Sequence, residues 1–336
     1  MNYIKMSPIV GMRGYGGGAT ALPFSGGAAA SPWGDRGIMG GGQNSNDQNE
    51  LMSEYINIAS AGNSSDFGNL TVARYTIGAC SDSSRAVFCG GKTDSQTDKE
   101  EMDYYTVSTT SNASDFGNMS QAGDGIACTA DINARGIMQG GTYYSPSSGG
   151  QLSWSEIYYF NIANATGGSM GSTFGDATQN RAQHGECTDG IYAVYAGGSY
   201  AETSNNIMDY VTIQTTGNAQ DFGDLISGRS ALSGAGNATR GVFAGGWGDK
   251  EDMEYITIAS AGNASEFGNM HTSAYRYASM TSGTRAVWAG GNGDGGGDPK
   301  INNIQYITID TTGNGSDFGD LSDQRGSWQG ASGNPS

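Results

Sequence analysis

Short segments with two apolar faces recur along the chain. Between residues 253 and 258, Met253 and Tyr255 alternate with Ile256 and Ile258, so both faces of an extended segment are largely apolar. A strand of this kind is typical of a sheet that is packed between two other sheets. The chain has no long segment with the period of an amphipathic helix. The pattern therefore predicts an all-β protein of short strands.

The apolar segments belong to a unit that occurs six times. Each unit contains an aromatic-rich run that ends in Gly-Gly, a strand centred on Tyr, and a Phe-Gly turn beside Asn or Asp. The doublets end 45 to 57 residues apart, at Gly42, Gly91, Gly141, Gly198, Gly246 and Gly291. Such a period with a glycine doublet is typical of a propeller array.

One unit can be divided into four strands at its turn residues. In the unit from 226 to 270, the segments between the turns are 229–235, 240–246, 253–258 and 266–270. Four strands per unit around a channel form one blade of a β-propeller.

The two ends of the repeat region each hold an incomplete unit. Residues 325–331 read as an inner strand without a second strand after it, whereas residues 34–42 begin with a second strand that no inner strand precedes. Joining them completes a sixth blade and leaves no inner edge unpaired. We therefore expect a six-bladed propeller over residues 32–336 whose N- and C-terminal segments share one blade.

The repeat resembles the Kelch-type β-propeller family over about residues 32 to 336. The matching features are the Gly-Gly doublet, an Arg that opens the inner strand and a Tyr in the third strand. The Arg positions are Arg74, Arg181, Arg229 and Arg325, and the Tyr positions are Tyr55, Tyr104, Tyr159, Tyr210, Tyr255 and Tyr306. Where that family usually carries Trp, this chain has Phe, as at Phe267, which indicates a divergent relative. The resemblance implies the fold and no particular reaction.

Composition and charge argue against two classes of function, the binding of nucleic acid and insertion into a membrane. Fifty-seven glycines and only six prolines suit many short strands joined by turns. The formal net charge of −17 disfavours binding to phosphate backbones and anionic lipids, so we expect no nucleic acid as a partner. The chain shows no apolar stretch of spanning length and no signal-peptide pattern. We therefore expect a soluble protein without membrane insertion.

Several residues with reactive or charged side chains occur at the same place in most units. A residue that recurs in this way is expected to have a structural role. Cys80, Cys128 and Cys187 share a place in the repeat with Ala and Met, which predicts free buried thiols, although a Cys80–Cys89 pair stays open. The same holds for an acid before Phe-Gly and for an Arg that opens the second strand. The Asn residues that match the glycosylation triplet also recur at one turn of the repeat, so we expect none of these residues to be catalytic or glycosylated.

The two histidines do not form a reactive set. His184 and His271 lie in different blades, without the paired spacing of metal ligands, and nothing local around either of them indicates a Ser-His-Asp arrangement. We therefore expect no metal, no cofactor and no enzyme activity.

The loops between the second and third strands differ from unit to unit, and this favours them as the binding surface. They span residues 43–51, 92–101, 142–154, 199–206, 247–252 and 292–303. Aromatic side chains there can stack on sugars or anchor a protein, and two acids, which are fewer than a full set of calcium ligands, flank a Gly run. The candidate binding residues are Tyr143, Tyr144, Trp154, Tyr200, Trp247, Asp294 and Asp298.

Residues 1–31 form a Gly- and Ala-rich segment outside the repeat. Its few large apolar groups cannot build a core alone, so we expect an extended arm that docks on another subunit or on its own propeller. The expected anchors are Met6, Ile9, Val10, Leu22 and Phe24.

A Gly-rich start before Gly-Asn-Ala-Ser-Asp-Phe-Gly-type repeats also resembles the Kelch-like virion structural proteins of marine tailed bacteriophages. The first hypothesis is therefore a non-enzymatic virion protein, tail- or capsid-associated and assembled in the host cytoplasm. Its partners would be other virion structural proteins in a symmetric assembly, and its loop face would contact a host-surface glycan or another virion protein. The alternatives are an intracellular Kelch-type adaptor and a carbohydrate-active propeller enzyme.

Overall fold

The computed structural model describes residues 33–131, 133–145, 147, 150–164, 169–200, 203–248, 250–293 and 298–333. The segment from 1 to 32, with the five expected anchors of the arm, lies outside the described residues. Within them the chain is all-β, and no helix is long and apolar enough to cross a membrane.

Twenty-four of the strands form six four-stranded blades, and short strands extend some of the loops. Blade 1 begins with β1 (Arg36–Gly40), β2 (Met52–Asn57) and β3 (Ser65–Asn69). Blade 2 holds β4 (Gly78–Ser81), β5 (Arg85–Cys89), β6 (Glu101–Thr106) and β7 (Ser114–Met119). Blade 3 and its loops hold β8 (Ala127–Ala130), β9 (Arg135–Gln139), β10 (Thr142–Ser145), β11 (Gly150–Ser153), β12 (Glu156–Asn161), β13 (Ser169–Met170) and β14 (Ser172–Asp176).

The second half of the ring repeats this arrangement. Blade 4 holds β15 (Gly185–Thr188), β16 (Tyr192–Ala196), β17 (Ser199–Tyr200), β18 (Thr203–Ser204), β19 (Ile207–Thr212) and β20 (Gln220–Asp224). Blade 5 holds β21 (Ser233–Gly236), β22 (Arg240–Ala244), β23 (Asp252–Thr257) and β24 (Ser265–Asn269). Blade 6 holds β25 (Ala274–Tyr275), β26 (Ala278–Thr281), β27 (Arg285–Ala289), β28 (Asn292–Gly293), β29 (Asn303–Thr308) and β30 (Ser316–Asp320), and β31 (Gln329–Gly333) follows.

The six blades close into a propeller, as the sequence predicts. Within each blade the four strands pair antiparallel, and the inner strands β31, β4, β8, β15, β21 and β26 contact one another in a complete circle around the channel. The closing blade has the order β3-β2-β1-β31, with Ile38 opposite Ala331 in the antiparallel register. The prediction that the two ends of the repeat region share one blade is confirmed.

The inner strands begin later than the sequence suggests. In blade 5 the predicted strand 229–235 contains Arg229, whereas β21 starts at Ser233 and Arg229 lies in the connection ahead of it. The glycine doublet lies just after the second strand, where Gly245 and Gly246 have φ angles of +69° and +133°. Only Gly enters this region readily, so the doublet ends the strand and turns the chain.

All four cysteines are free and buried, as expected. Their shared position in the repeat holds for Cys80 and Cys187 but is wrong for Cys128, because Thr129 takes that place opposite Ile137. Neighbouring strand residues point to opposite faces, so Cys128 packs toward blade 2 in the cluster that contains Cys80. Burial raises the pKa of both thiols.

The Phe-Gly segments fasten each blade to its neighbour at the rim. The Asn112 side chain of blade 2 accepts a hydrogen bond from Asn69 N–H at the end of β3, at 3.1 Å. A Cβ atom at Gly68 would lie 2.1 Å from Ser111 O, so only Gly permits this approach. Four more blade boundaries carry the same Asn contact, through Asn63, Asn218, Asn263 and Asn314. The Asn residues of the apparent glycosylation triplets are thus structural.

The Arg that opens the second strand also joins two blades. Arg240 lies 4.6 Å from the ring centroid of Tyr255 in its own blade and donates a hydrogen bond to Ile309 O in the next. The equivalent residues of four other blades repeat this geometry, at Arg36, Arg85, Arg135 and Arg285. These arginines are therefore part of the scaffold.

A buried ion pair recurs inside the blades. Arg181 is fully buried and donates to the carboxylate of Asp209, the third residue of β19, and to Ile207 O. Blade 2 has the same pair in Arg74 and Asp103, with a distance of 2.8 Å from Arg74 Nη2 to Asp103 Oδ2. Burial raises the pKa of Asp103, and the charge of Arg74 opposes the rise.

Blades 3 and 6 lack both members of the pair. Gly123 and Tyr158 take the two positions in blade 3, and Ala274 and Gln305 take them in blade 6. Blades 2, 4 and 5 contain the ion pair. In blade 1, Arg325 donates instead to Gly41 O and Met52 O, and Glu54 accepts hydrogen bonds from two serine hydroxyls.

Loss of one partner is expected to destabilise the ring strongly. In Asp209→Ala the Arg181 guanidinium stays buried without its carboxylate, so we expect the free energy of unfolding to fall by about 3–5 kcal/mol. The control replaces both charges by apolar groups, in Arg181→Met with Asp209→Leu, and should lose much less. Urea unfolding of the two variants makes the comparison. Equal stability of the single variant and the wild type would show that the pair is not needed.

Candidate binding site on the loop face

The loops between second and third strands are held in place by buried lysines. Lys92 Nζ lies 3.1 Å from Asp124 Oδ1 and 3.8 Å from Asp98 Oδ1. The other oxygen of Asp98 accepts a hydrogen bond from Tyr144 N–H at 2.6 Å. The loop of blade 2 thereby positions the β10–β11 hairpin of blade 3.

A groove of about 320 Å³ lies beside this hairpin. Tyr143 and Leu152 are directly opposite each other in the hairpin, so their side chains share the face that lines the groove. Trp154 and Tyr158 line it from blade 3, and Tyr200 from the β17–β18 hairpin of blade 4. The groove thus brings together three predicted residues, Tyr143, Trp154 and Tyr200.

Trp154 is the fixed part of the groove. Its side chain is only 8 % exposed, and its ring centroid lies 5.8 Å from that of Tyr143. A Cβ atom at Gly123 would lie 2.1 Å from the indole, so Trp154 occupies the space beside the position where other blades carry the buried Arg. Trp154 lies between β11 and β12 of blade 3, and most of its surface is in the core.

The other predicted residues do not join the groove. Tyr144 is 56 % exposed and points away from the lining. Trp247, also 56 % exposed, packs in another blade with its ring centroid 4.8 Å from that of Tyr275. Asp298 is exposed, and its carbonyl accepts a hydrogen bond from Lys300 Nζ at 3.1 Å. Asp294 lies outside the described residues.

Several groove residues were missed by the sequence reasoning. They are Leu152, Tyr158, Glu156, Asn180 and Gln121. Alignment of the repeats contains a signal for Tyr158, because this position is an acid or Gln in the other five blades. The rest have no such signal, since Gln121 and Asn180 reach the groove from connections between blades.

The groove is suited to hold a neutral polar ligand. Burial, and then the charge of Glu156, raises the pKa of the Tyr158 hydroxyl, which stays protonated as a donor. Glu156 is an exposed acceptor, and the lining contains no Lys, Arg or His. Among the described residues, no group of three His, Cys, Asp or Glu could hold a metal ion. The chemistry available here is stacking and hydrogen bonding.

A polar contact crosses the central channel. Gln329 Nε2 of blade 1 donates to Glu186 Oε1 of blade 4 at 3.3 Å. This contact separates a cavity of about 80 Å³, which Glu186 lines, from a cavity of about 50 Å³ toward the loop face. Burial raises the pKa of Glu186 well above its usual value.

Comparison of the chain with protein-family models and with curated proteins found no match.

The buried Glu186 predicts a pH dependence of stability. The pKa of Glu186 is raised in the folded state above the usual value of 4.5. The protonated side chain therefore contributes fully to the stability of the fold below that value, and this contribution is lost as the pH rises toward the folded pKa. We expect Glu186→Gln to be more stable than the wild type at pH 8 and equally stable near pH 4. Thermal unfolding across this range tests it, with the exposed Glu266→Gln as control. Parallel curves for Glu186→Gln and the wild type would contradict the assignment.

Proposed function

We propose that the protein is a non-enzymatic virion structural protein of a tailed bacteriophage whose loop-face groove binds a neutral host-surface glycan. The observation that carries the binding part is the groove between blades 3 and 4, where Tyr143, Trp154 and Tyr200 converge. The virion part rests on the resemblance of the repeats to Kelch-like virion proteins.

The groove matches the needs of a sugar ring in shape and chemistry. Tyr200 is 54 % exposed and Leu152 42 %, so apolar surface is available to stack on the C–H face of a pyranose. Glu156 can accept from sugar hydroxyls, and the Tyr158 hydroxyl can donate to one. A carboxylate at the rim and no cation in the lining favour a neutral sugar over an acidic one.

The repeated contacts between blades suit a protein that must stay folded under harsh conditions. Each rim contact ties one blade to the next through the backbone of a Phe-Gly segment, and the arginines of the second strands add a second tie. A closed ring with such repeated ties suits a particle component that must survive outside a cell. Attachment through residues 1–31 to other virion structural proteins, at the tail or the capsid, completes the proposal.

Removal of the Tyr200 ring is expected to weaken glycan binding. The side chain is exposed, so Tyr200→Ala should fold normally and lower the affinity for a glycan selected on an array by about tenfold, which is about 1.4 kcal/mol. Trp247→Ala removes an equally exposed aromatic in another blade and is the matched control. Calorimetric titration of both variants measures the effect. Equal affinities in the two would exclude the groove, and turnover of the glycan would refute the non-enzymatic role.

The arm is tested separately from the groove. Deletion of residues 1–31 should abolish incorporation into particles, because the attachment surface is lost, while glycan binding by the propeller remains. Particle composition of a phage that carries the deletion, measured by mass spectrometry, tests this. Full incorporation of the truncated chain would refute attachment by the arm.

A further inference from the structure

A small apolar cavity lies between blades 2 and 3, beside the groove. Its volume is about 10 Å³, near the lower limit for holding one water molecule. The side chains that form its apolar wall are all buried, and they are Met119, Ile126, Met138 and Trp154. Water finds few hydrogen-bond partners in such a space, so the cavity is suited to a group as small and apolar as a methyl. We call it the side cavity.

The side cavity adjoins the groove and reaches the surface. Gln121, Trp154 and Tyr158 line both of them. Ser120 also lines the side cavity and is exposed, so the entrance lies at the protein surface next to the groove. A ligand in the groove can therefore place a small substituent in the side cavity.

Gly171 leaves space at this entrance. A Cβ atom at its position would lie 3.3 Å from Tyr158 Cβ and 3.6 Å from both Met138 Cε and Ser120 Oγ. These three side chains thus meet around one point, which any residue other than glycine would partly fill. The φ angle of +111° at Gly171 also disfavours other residues.

The entrance is polar but uncharged. In blade 4, Thr178 takes the place of Ser120, and its hydroxyl donates to the carboxylate of Asp209 at 2.8 Å. Blade 3 has Tyr158 in place of that acid, and the lining of the side cavity contains no charged residue. A neutral substituent can enter without removing the water from a charged group.

Gln121 offers a hydrogen-bonding group between the groove and the side cavity. Its carboxamide carries donors and an acceptor. In the part of the chain that the structure describes, this carboxamide has no hydrogen-bond partner. It can therefore donate to the carbonyl of a ligand amide or accept from its N–H.

From this geometry we propose that the groove binds an acetamido sugar, with the N-acetyl methyl group in the side cavity and the amide hydrogen-bonded to Gln121. The inference rests on the glycan binding proposed above and goes beyond it by naming the class of sugar. Burial of the methyl group supplies hydrophobic free energy, and the amide keeps its hydrogen bonds at the entrance. The sugar ring stays in the groove against Tyr200 and Leu152.

Two matched pairs of neutral sugars test this specificity. N-acetylglucosamine differs from glucose, and N-acetylgalactosamine from galactose, only in the acetamido group that replaces one hydroxyl. In calorimetric titration of the full chain, we expect the acetamido sugar of at least one pair to bind about tenfold more tightly than its partner. Tyr200→Ala should weaken the binding of both.

The outcomes separate this inference from the proposed function. Equal affinities within both pairs, or failure of both acetamido sugars to bind, would overturn the inference. Binding of another neutral glycan that Tyr200→Ala weakens would still support the proposed function. Tight binding of an acetamido sugar that Tyr200→Ala leaves unchanged would place the sugar outside the groove and contradict both.

A variant at the entrance tests the place of the methyl group. Ser120 is exposed, so Ser120→Val should fold normally while its added methyl groups narrow the side cavity. We expect the preference for the acetamido sugar to fall to within about twofold of the plain sugar. Ser108→Val makes the same change at an exposed turn on the opposite face of blade 2 and should keep the preference. An unchanged preference in Ser120→Val would overturn the inference.

A second readout observes the cavity wall directly. In the full chain with ¹³C-labelled methionine methyl groups, the acetamido sugar should displace the signals of Met119 and Met138, and the plain sugar should not. Met119→Leu and Met138→Leu assign the two signals. Met208, which is fully buried in blade 4, is the internal control. No displacement, or equal displacement of Met208, would show that the methyl group does not enter the side cavity.

Discussion

The pairing of β31 with β1 is the contact on which the rest of the molecule depends. Each blade has two apolar faces and can bury them only between two neighbours. If the chain ends did not meet at Ile38 and Ala331, blade 1 would lose its inner strand, and the circle of inner strands would open. The rim contacts and the Arg240-type ties add to the ring, but they act only between blades that closure has already placed side by side. A single long-range pairing therefore makes local repeats into one cooperative structure.

The repeat explains why so much of the fold can be predicted from the sequence. Six copies of Gly-Gly, Tyr and Phe-Gly fix the number of blades, and the unmatched segments at the two ends fix how the ring closes. The errors arise where the chain departs from the repeat by one residue. The start of β8 follows Phe116 at the same spacing as the start of β4 follows Phe67, so Cys128 stands where blade 2 has Ala79, on the opposite face from Cys80. Side-chain alternation turns such a shift into a change of neighbour.

The candidate site is less predictable because it depends on contacts between blades. The aromatic composition of the variable loops identifies Tyr143 and Tyr200, yet nothing local shows that the two hairpins converge on one groove while Trp247 lies apart. The burial of a loop side chain cannot be predicted from the local sequence either. Trp154 reads as a surface aromatic in a loop, but it fills the space left in blade 3 by the absent arginine, since Gly123 leaves that space open.

Departures from the repeat also mark where chemistry is concentrated. Blade 3 has neither member of the buried ion pair, and the tryptophan and tyrosine that lie there form the wall of the groove. At the position of His184, just before the inner strand, other blades carry aliphatic or aromatic side chains, and both ring nitrogens of His184 are buried without a hydrogen-bond partner. Each exchange leaves unsatisfied donors or exposed aromatic surface that a purely structural blade would not need, and a buried polar group without a partner reduces stability. The closed ring tolerates such a loss of stability in one blade, because the other five blades still stabilise the fold.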